Sequence, residues 1–155
     1  MSSTKVIENA INEIRGKTSF TVYNNYFLSW EEILMMDKDG LVTIGAHTHE
    51  HLPLRNLEYD ESKHQILESK RLLEYQLGHP VYHFAYPFGT KKEVSTRDLN
   101  LVRESGFKTA VTTENTSLKC DTNNYFIPRQ SVLYSDTLDS IIVKLSGWNA
   151  LMGIN

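Results

Sequence analysis

The sequence has little of what most readily assigns a chain to a class. It holds a single cysteine, Cys120, in 155 residues. That excludes an internal disulfide framework and says little about compartment. No apolar run approaches the roughly 20 residues of a membrane-spanning helix. No block of lysine and arginine gathers on one element, and the formal net charge is −3, so the footprint of a nucleic-acid-binding protein is missing. The N-terminal stretch MSSTKVIENAINEIRG is amphipathic and lacks the apolar core of a signal peptide; the compartment stays undetermined. Histidine is scarce too, with six in the chain. Three of them, His47, His49 and His51, nevertheless fall inside GAHTHEH, residues 45–51.

What is present is ordinary for a globular protein: 40% hydrophobic and 23% charged residues, enough for one domain with a real core over residues 1–155. Val6, Ile7, Ala10, Ile11 and Ile14 recur at helical spacing before Gly16. Ser29-Trp30-Glu31-Glu32 is a capping-box pattern and predicts a short helix ending near Met36, before the turn at Asp39-Gly40. LVTIG (41–45) reads as a short buried strand. A long helix is expected from about Asp60 to Leu77, with Ile66, Leu73 and Leu77 on one stripe and Gly78 and Pro80 closing it. VYHFAY (81–86) reads as a strand. Ser95 opens another helix, ending at Gly106, and FKTAVTT (107–113) is a third strand. YFIPRQSV (125–132) is a fourth, demoted in its middle by Pro128. Ser135-Asp136 caps a last helix from Thr137 to about Leu145.

Strands alternating with helices imply βαβ units and a parallel sheet of about four strands. In such sheets chemistry gathers beyond the carboxyl ends of the strands. HTHEH directly follows LVTIG, and PFG directly follows VYHFAY, so both segments are expected at one edge of the sheet.

Imidazole suits zinc and similar divalent ions, and three protein ligands plus water make a catalytic metal site. His47 and His51 are four residues apart, which on a helical turn puts both rings on one side. The same spacing fits a polar loop of solvated histidines, and both readings stand at this point. His49 fits either a third ligand or a locally hydrogen-bonded side chain. His83 is expected in the core, on the strand face of Val81 and Ala85, and His64 and His79 on the surface. Arg129 suits a carboxylate at the strand end or a surface ion pair. Trp148 and Met152 form an apolar tail expected to pack.

At this point IGAHTHEHLPL resembles the His-Ser/Thr-x-x-His motif of polysaccharide deacetylases with the NodB homology domain, carbohydrate esterase family 4. His47 and Thr48 match its start and His51 its end. WEEILMMDKDGLVTIGAHT resembles the segment leading into that motif. FAYPFG (84–89) resembles the later Phe-x-x-Pro-aromatic-Gly motif. LVRESGFKTAVTT and FIPRQSV resemble the helix–strand and strand that follow. The resemblance covers roughly residues 28–147 in the family's order, and several ordered motifs are far more specific than one.

The resemblance implies a partial, TIM-barrel-like (β/α) barrel and a hydrolase that removes N-acetyl groups from a polysaccharide or cell-surface glycan. It implies a divalent metal, commonly zinc, held by two histidines and an aspartate, with a second aspartate as general base and a late histidine as general acid. Carried over, His47 and His51 are metal ligands, and Thr48 hydrogen-bonds locally and holds the loop. Phe88 supplies an oxyanion N–H. Tyr86, Pro87 and Phe88 line the sugar site.

Two parts of the family pattern have no counterpart. Nothing in residues 1–46 resembles Thr-Phe-Asp-Asp-Gly, which carries both aspartates, and no histidine follows His83. Ala85 stands where an arginine is frequent. The expectation is a shortened member missing its first βα units, with a partial metal site, impaired catalysis and apolar surface that drives dimerisation, element swapping or partner binding. Glu50, inside the motif, is the nearest replacement carboxylate, although its side chain is expected to leave the turn at another angle. The alternative is a non-catalytic, deacetylase-like remnant that binds carbohydrate, metal or protein. A structural zinc domain fits less well, since such sites favour four closed, cysteine-rich ligands.

Overall fold

The computed structural model describes residues 27–146. The chain divides into two compact units, Met1–Ile33 and Leu34–Asn155, and the sheet and its flanking helices lie in the second. The helix expected over residues 4–15 and the tail with Trp148 and Met152 lie outside the described residues.

Local signals set the helices. α1 (Trp30–Lys38) starts where the capping box places it: Ser29 N–H donates to Glu32 Oε2 at 2.7 Å and Glu32 N–H to Ser29 Oγ at 3.2 Å. Two otherwise orphaned N–H groups are thereby satisfied. α2 (Tyr59–Leu77) ends on Gly78 at φ 74°, a left-handed cap that favours glycine. α3 (Thr96–Glu104) opens with a reciprocal Ser95–Asp98 capping box. α4 (Leu138–Leu145) is capped one residue later than expected, by Thr137, whose hydroxyl accepts from Ser140 N–H.

The sheet is smaller than the sequence pattern implies. β1 (His83–Ala85) and β2 (Thr109–Val111) pair in parallel, joined through α3, with Phe84 opposite Ala110. Of the outer two expected strands, 41–45 forms none: none of its residues is buried, and the single parallel bridge on that side lies just beyond it, Ala46 to Phe84, while 125–132 is reduced to the single bridge Val111 to Ile127. On one side, pairing stops at Ala46 because Thr48 turns left-handed at φ 61°. On the other, Pro128 follows the paired Ile127 and has no N–H to extend the ladder. The order of the four segments, 46, β1, β2, 127, is still that of one parallel layer.

Side-chain alternation gives the layer two faces. Phe84, Tyr86 and Ala110 are buried in one core with Ile66 of α2 and Leu101 and Val102 of α3. Phe84 meets Tyr86 and Phe107 at ring-centroid distances of 5.2 Å each, a favourable edge-on spacing. The opposite face carries His83, Ala85, Thr109 and Val111. With Thr43, Gly45 and His47 these border an open concavity of about 370 Å³. His83 is therefore exposed, contrary to the expectation of core packing; its Nδ1 lies 2.8 Å from the Thr109 hydroxyl. Among the described residues α2 and α3 pack on the Phe84 face, and period two sends His83 to the other.

Candidate functional site

The two segments expected at one sheet edge do meet there. His47 follows the bridge residue Ala46, and its Nδ1 lies 2.7 Å from the carbonyl oxygen of Ala85 at the end of β1. A carbonyl only accepts, so Nδ1 carries the proton, and in the neutral ring the lone pair is on Nε2. The His51 ring stands edge-on to His47 with centroids 4.7 Å apart, and the Phe88 ring packs against His51 at 5.2 Å. All three residues are exposed.

Backbone strain concentrates at the same place. Among the described residues the non-glycine positions at positive φ are Thr48 (61°), His51 (57°) and Phe88 (61°). Each such conformation costs roughly 1–3 kcal/mol and persists only where the surroundings over-determine it. Thr48, being β-branched, is the least expected of them. Its hydroxyl, expected to hydrogen-bond locally, is instead buried without a partner among the described residues.

The Phe88 turn is held from both sides. Tyr86 N–H donates to Val111 O at 3.1 Å and Thr113 N–H to Gly89 O at 3.0 Å; the Thr113 hydroxyl donates to the Phe88 carbonyl. Gly89 sits at φ 63°, and a Cβ there would lie 3.0 Å from Tyr86 O and Thr113 N, so only glycine fits. The Phe88 N–H has no acceptor among the described residues. Of the three residues expected to line a sugar site, Phe88 alone is exposed. Tyr86 and Pro87 are buried, and the Tyr86 hydroxyl donates to Tyr125 O at 2.9 Å; burial pushes that phenol's pKa above its ordinary range. Tyr86 supports the turn from beneath, because it shares the Phe84 side of the layer and packs in the same core.

Several polar residues that the sequence did not single out fasten the loops. Arg97 donates to the carbonyls of Leu57 (2.8 Å) and Leu54 (2.7 Å), to Ser62 Oγ (3.1 Å) and to the fully buried Asp98. Arg55 donates to the carbonyls of Lys91 and Lys92, joining the loop after His51 to the loop after β1. Arg129 neither orients a carboxylate nor forms an ion pair among the described residues; its Nε–H goes to Thr112 O at 2.6 Å. His79 is on the surface as expected, but paired with Asp37 at 2.6 Å. His49, His64 and Cys120 are exposed.

As a metal site the arrangement is partial. The donor set is two neutral-capable imidazoles, one with its tautomer fixed, which suits a divalent ion. Among the described residues no group of three His, Cys, Asp or Glu side chains converges. Glu50 does not complete it: its carboxylate accepts from Gln65 Nε2 at 2.7 Å.

A parallel sheet under helices, with a histidine pair and a Pro-Phe-Gly turn at the strand ends, defines an α/β domain of the NodB type. Residues 3–110 match the family model of polysaccharide deacetylases, and the chain belongs to that family. Solved structures agree on the fold. Streptococcus pyogenes deacetylase PplD, in complex with acetate, superposes with TM-score 0.72 at 20% identity over 79% of this chain and 53% of its own. A polysaccharide deacetylase from Bacillus cereus gives 0.65 at 25% over 79% and 38%. IcaB from Ammonifex degensii gives 0.63 at 21% over 83% and 57%. The chain therefore spans about half the length of these structures or less. No curated protein matches it by sequence.

Proposed function

We propose that the chain carries the metal- and substrate-facing portion of an N-deacetylase acting on an N-acetylated glycan. The observation that carries this is the geometry at one sheet edge: His47 fixed through Nδ1 on Ala85 O, His51 beside it, and on the adjoining turn a Phe88 N–H with no acceptor among the described residues.

In this reading His47, through Nε2, and His51 would hold a divalent cation such as zinc, which imidazole donors suit. When bound, such a cation polarises an acetamide carbonyl and lowers the pKa of water. Phe88 N–H donates to the carbonyl oxygen as charge develops there, and its exposed ring walls the sugar. Tyr86 and Pro87 keep that turn in register. Water adds to the acetyl carbon, the C–N bond breaks, and acetate and a glycan amine leave. Two imidazoles with no converging carboxylate among the described residues hold the ion weakly. Proton transfer has no assigned group, a deficit worth typically about 10²–10⁴-fold per missing acid or base. Turnover by this chain alone is accordingly slow.

A second reading, a deacetylase-like domain that binds metal or glycan without turnover, is favoured by the absence of a converging third ligand among the described residues. One experiment separates the two: titrate zinc into the chain and into a His47→Ala/His51→Ala variant, and assay acetate release from N-acetylated chitin oligomers and a cell-wall glycan. Deacetylation requires zinc binding that disappears in the variant, together with zinc-dependent acetate release. Binding without release favours the second reading, and equal zinc affinity in both proteins removes the site.

Self-association belongs to the same proposal. No residue of α4 is buried, and Leu138, Ile142 and Leu145 are exposed, an apolar stripe that a second copy would cover.

A further inference from the structure

The N-terminal half of α2 buries an unusually polar face: Ser62, Gln65, Ile66 and Ser69. Buried polar groups need partners, and these have them locally or in the loop that carries the histidines. Ser62 Oγ donates to Leu54 O and Ser69 Oγ to Ile66 O. Gln65 reaches furthest. Its Oε1 accepts from the Glu50 backbone N–H at 2.9 Å, and its Nε2 donates to Glu50 Oε2 at 2.7 Å and to Glu61 Oε1 at 3.2 Å. The amide orientation follows from chemistry, since a backbone N–H only donates and a carboxylate only accepts.

We propose that Gln65 is a positioning residue for the histidine pair: its amide grips Glu50 at both backbone and side chain and so holds the next residue, His51, in the left-handed conformation that sets its ring against His47. The inference rests on the reading of His47 and His51 as metal ligands. Three observations support it. Gln65 is 1% exposed, so its amide is held rigidly. Glu50 lies between the two histidines and is fixed at two points. His51 stays at φ 57°, which a loose loop would relax. The same grip turns the Glu50 carboxylate toward α2, which is why the acidic residue nearest the histidines joins no ligand group. Glutamine suits the task because one planar group supplies an acceptor and a donor side by side. Leucine supplies neither, and glutamate sets a second carboxylate against Glu50.

The test compares Gln65→Leu, Gln65→Glu and the exchange Glu50→Gln/Gln65→Glu, in which carboxylate and amide swap places, the exchange also carrying Glu61→Gln so that no carboxylate is left against the new one at position 65. Zinc affinity is measured by calorimetry, the proximity of the His47 and His51 rings by NMR in metal-free protein, and integrity by thermal unfolding. Groups that orient a metal-bound histidine are typically worth about 10–100-fold in affinity. We expect affinity to fall at least about tenfold in both single variants, with the two rings moving apart, and both properties to recover in the exchange. Parental zinc affinity in Gln65→Leu, or an exchange no better than Gln65→Glu alone, overturns the inference. If Gln65→Leu does not fold, the two glutamate-bearing proteins decide. If the parent chain binds no zinc, the functional reading falls, while the ring geometry still decides the role of Gln65: separation of the rings in the single variants and their return in the exchange support the role, and rings that stay together throughout refute it.

Discussion

The imidazole of His47 lies 2.7 Å from the carbonyl oxygen of Ala85, 38 residues later in the chain. This bond joins the end of one strand segment to the end of its neighbour and leaves one ring nitrogen of His47 free. Beside it lie the three left-handed residues Thr48, His51 and Phe88. Strain and candidate chemistry therefore occupy the same edge, as expected where a site is held in shape at the expense of stability.

Thr48→Gly tests that trade. It removes an unpartnered buried hydroxyl and a β-branched side chain at φ 61°. Relief of the strain outweighs the added freedom of the unfolded chain, and the net expected gain is about 1 kcal/mol. Urea unfolding measures it; a loss of stability would mean that Thr48 packing outweighs the strain.

Arg97→Ala removes every bond from the guanidinium to the Leu54 and Leu57 carbonyls and Ser62, and leaves the buried Asp98 carboxylate with Ser95 alone. With Arg97 about one-third exposed, a loss of about 2–4 kcal/mol is expected. Arg97→Lys recovers only part of it, because an ammonium cannot reproduce the planar fork. Chemical denaturation of the three proteins checks the order, and equal stability of the parent and the alanine variant would refute the clamp.

The His79–Asp37 pair gives a pH dependence. The hydrogen bond to Asp37 first, then that to the Pro80 carbonyl, raises the His79 pKa above 6.5. A group whose pKa is raised on folding stabilises fully below its unfolded pKa, and that stabilisation fades as pH rises through the folded value. The parent should therefore lose melting temperature relative to Asp37→Asn as pH climbs from below 6.5 into the alkaline range. Parallel melting curves across that range would show that the pair is energetically silent, as many exposed ion pairs are.

Self-association should depend on α4. Replacing exposed Leu138 and Ile142 by lysine puts charge into the apolar stripe and should shift the oligomer toward monomer in light scattering. An unchanged mass would place the interface elsewhere, and a monomeric parent at high concentration would end the idea.

The helix ends were legible in the sequence because capping chemistry is short-ranged. Ser29 with Glu32, and Ser95 with Asp98, span three residues, and Gly78 acts alone. Strand order and the meeting of HTHEH with PFG were legible too, since a parallel layer sends successive strand ends to one edge. Strand extent was not: 41–45 yields no strand, only a bridge at the next residue, Ala46, and 125–132 only the bridge at Ile127, because an edge segment pairs on one side and ends where its own backbone turns away.

The rest was decided by packing. The motif named His47 and His51, but the proton on His47 Nδ1 depends on Ala85 arriving beside it. Alternation along β1 was written in the sequence, yet which face the helices cover decided that Phe84 is buried and His83 exposed. Glu50 could be read as a spare ligand until α2 docked with Gln65 toward it. Nothing in the sequence singled out Arg97, whose guanidinium spans 43 residues to Leu54. A sequence records which groups can bond to near neighbours; which distant donors and acceptors meet is fixed only when helices and sheet share one core and each buried polar group must find a partner there.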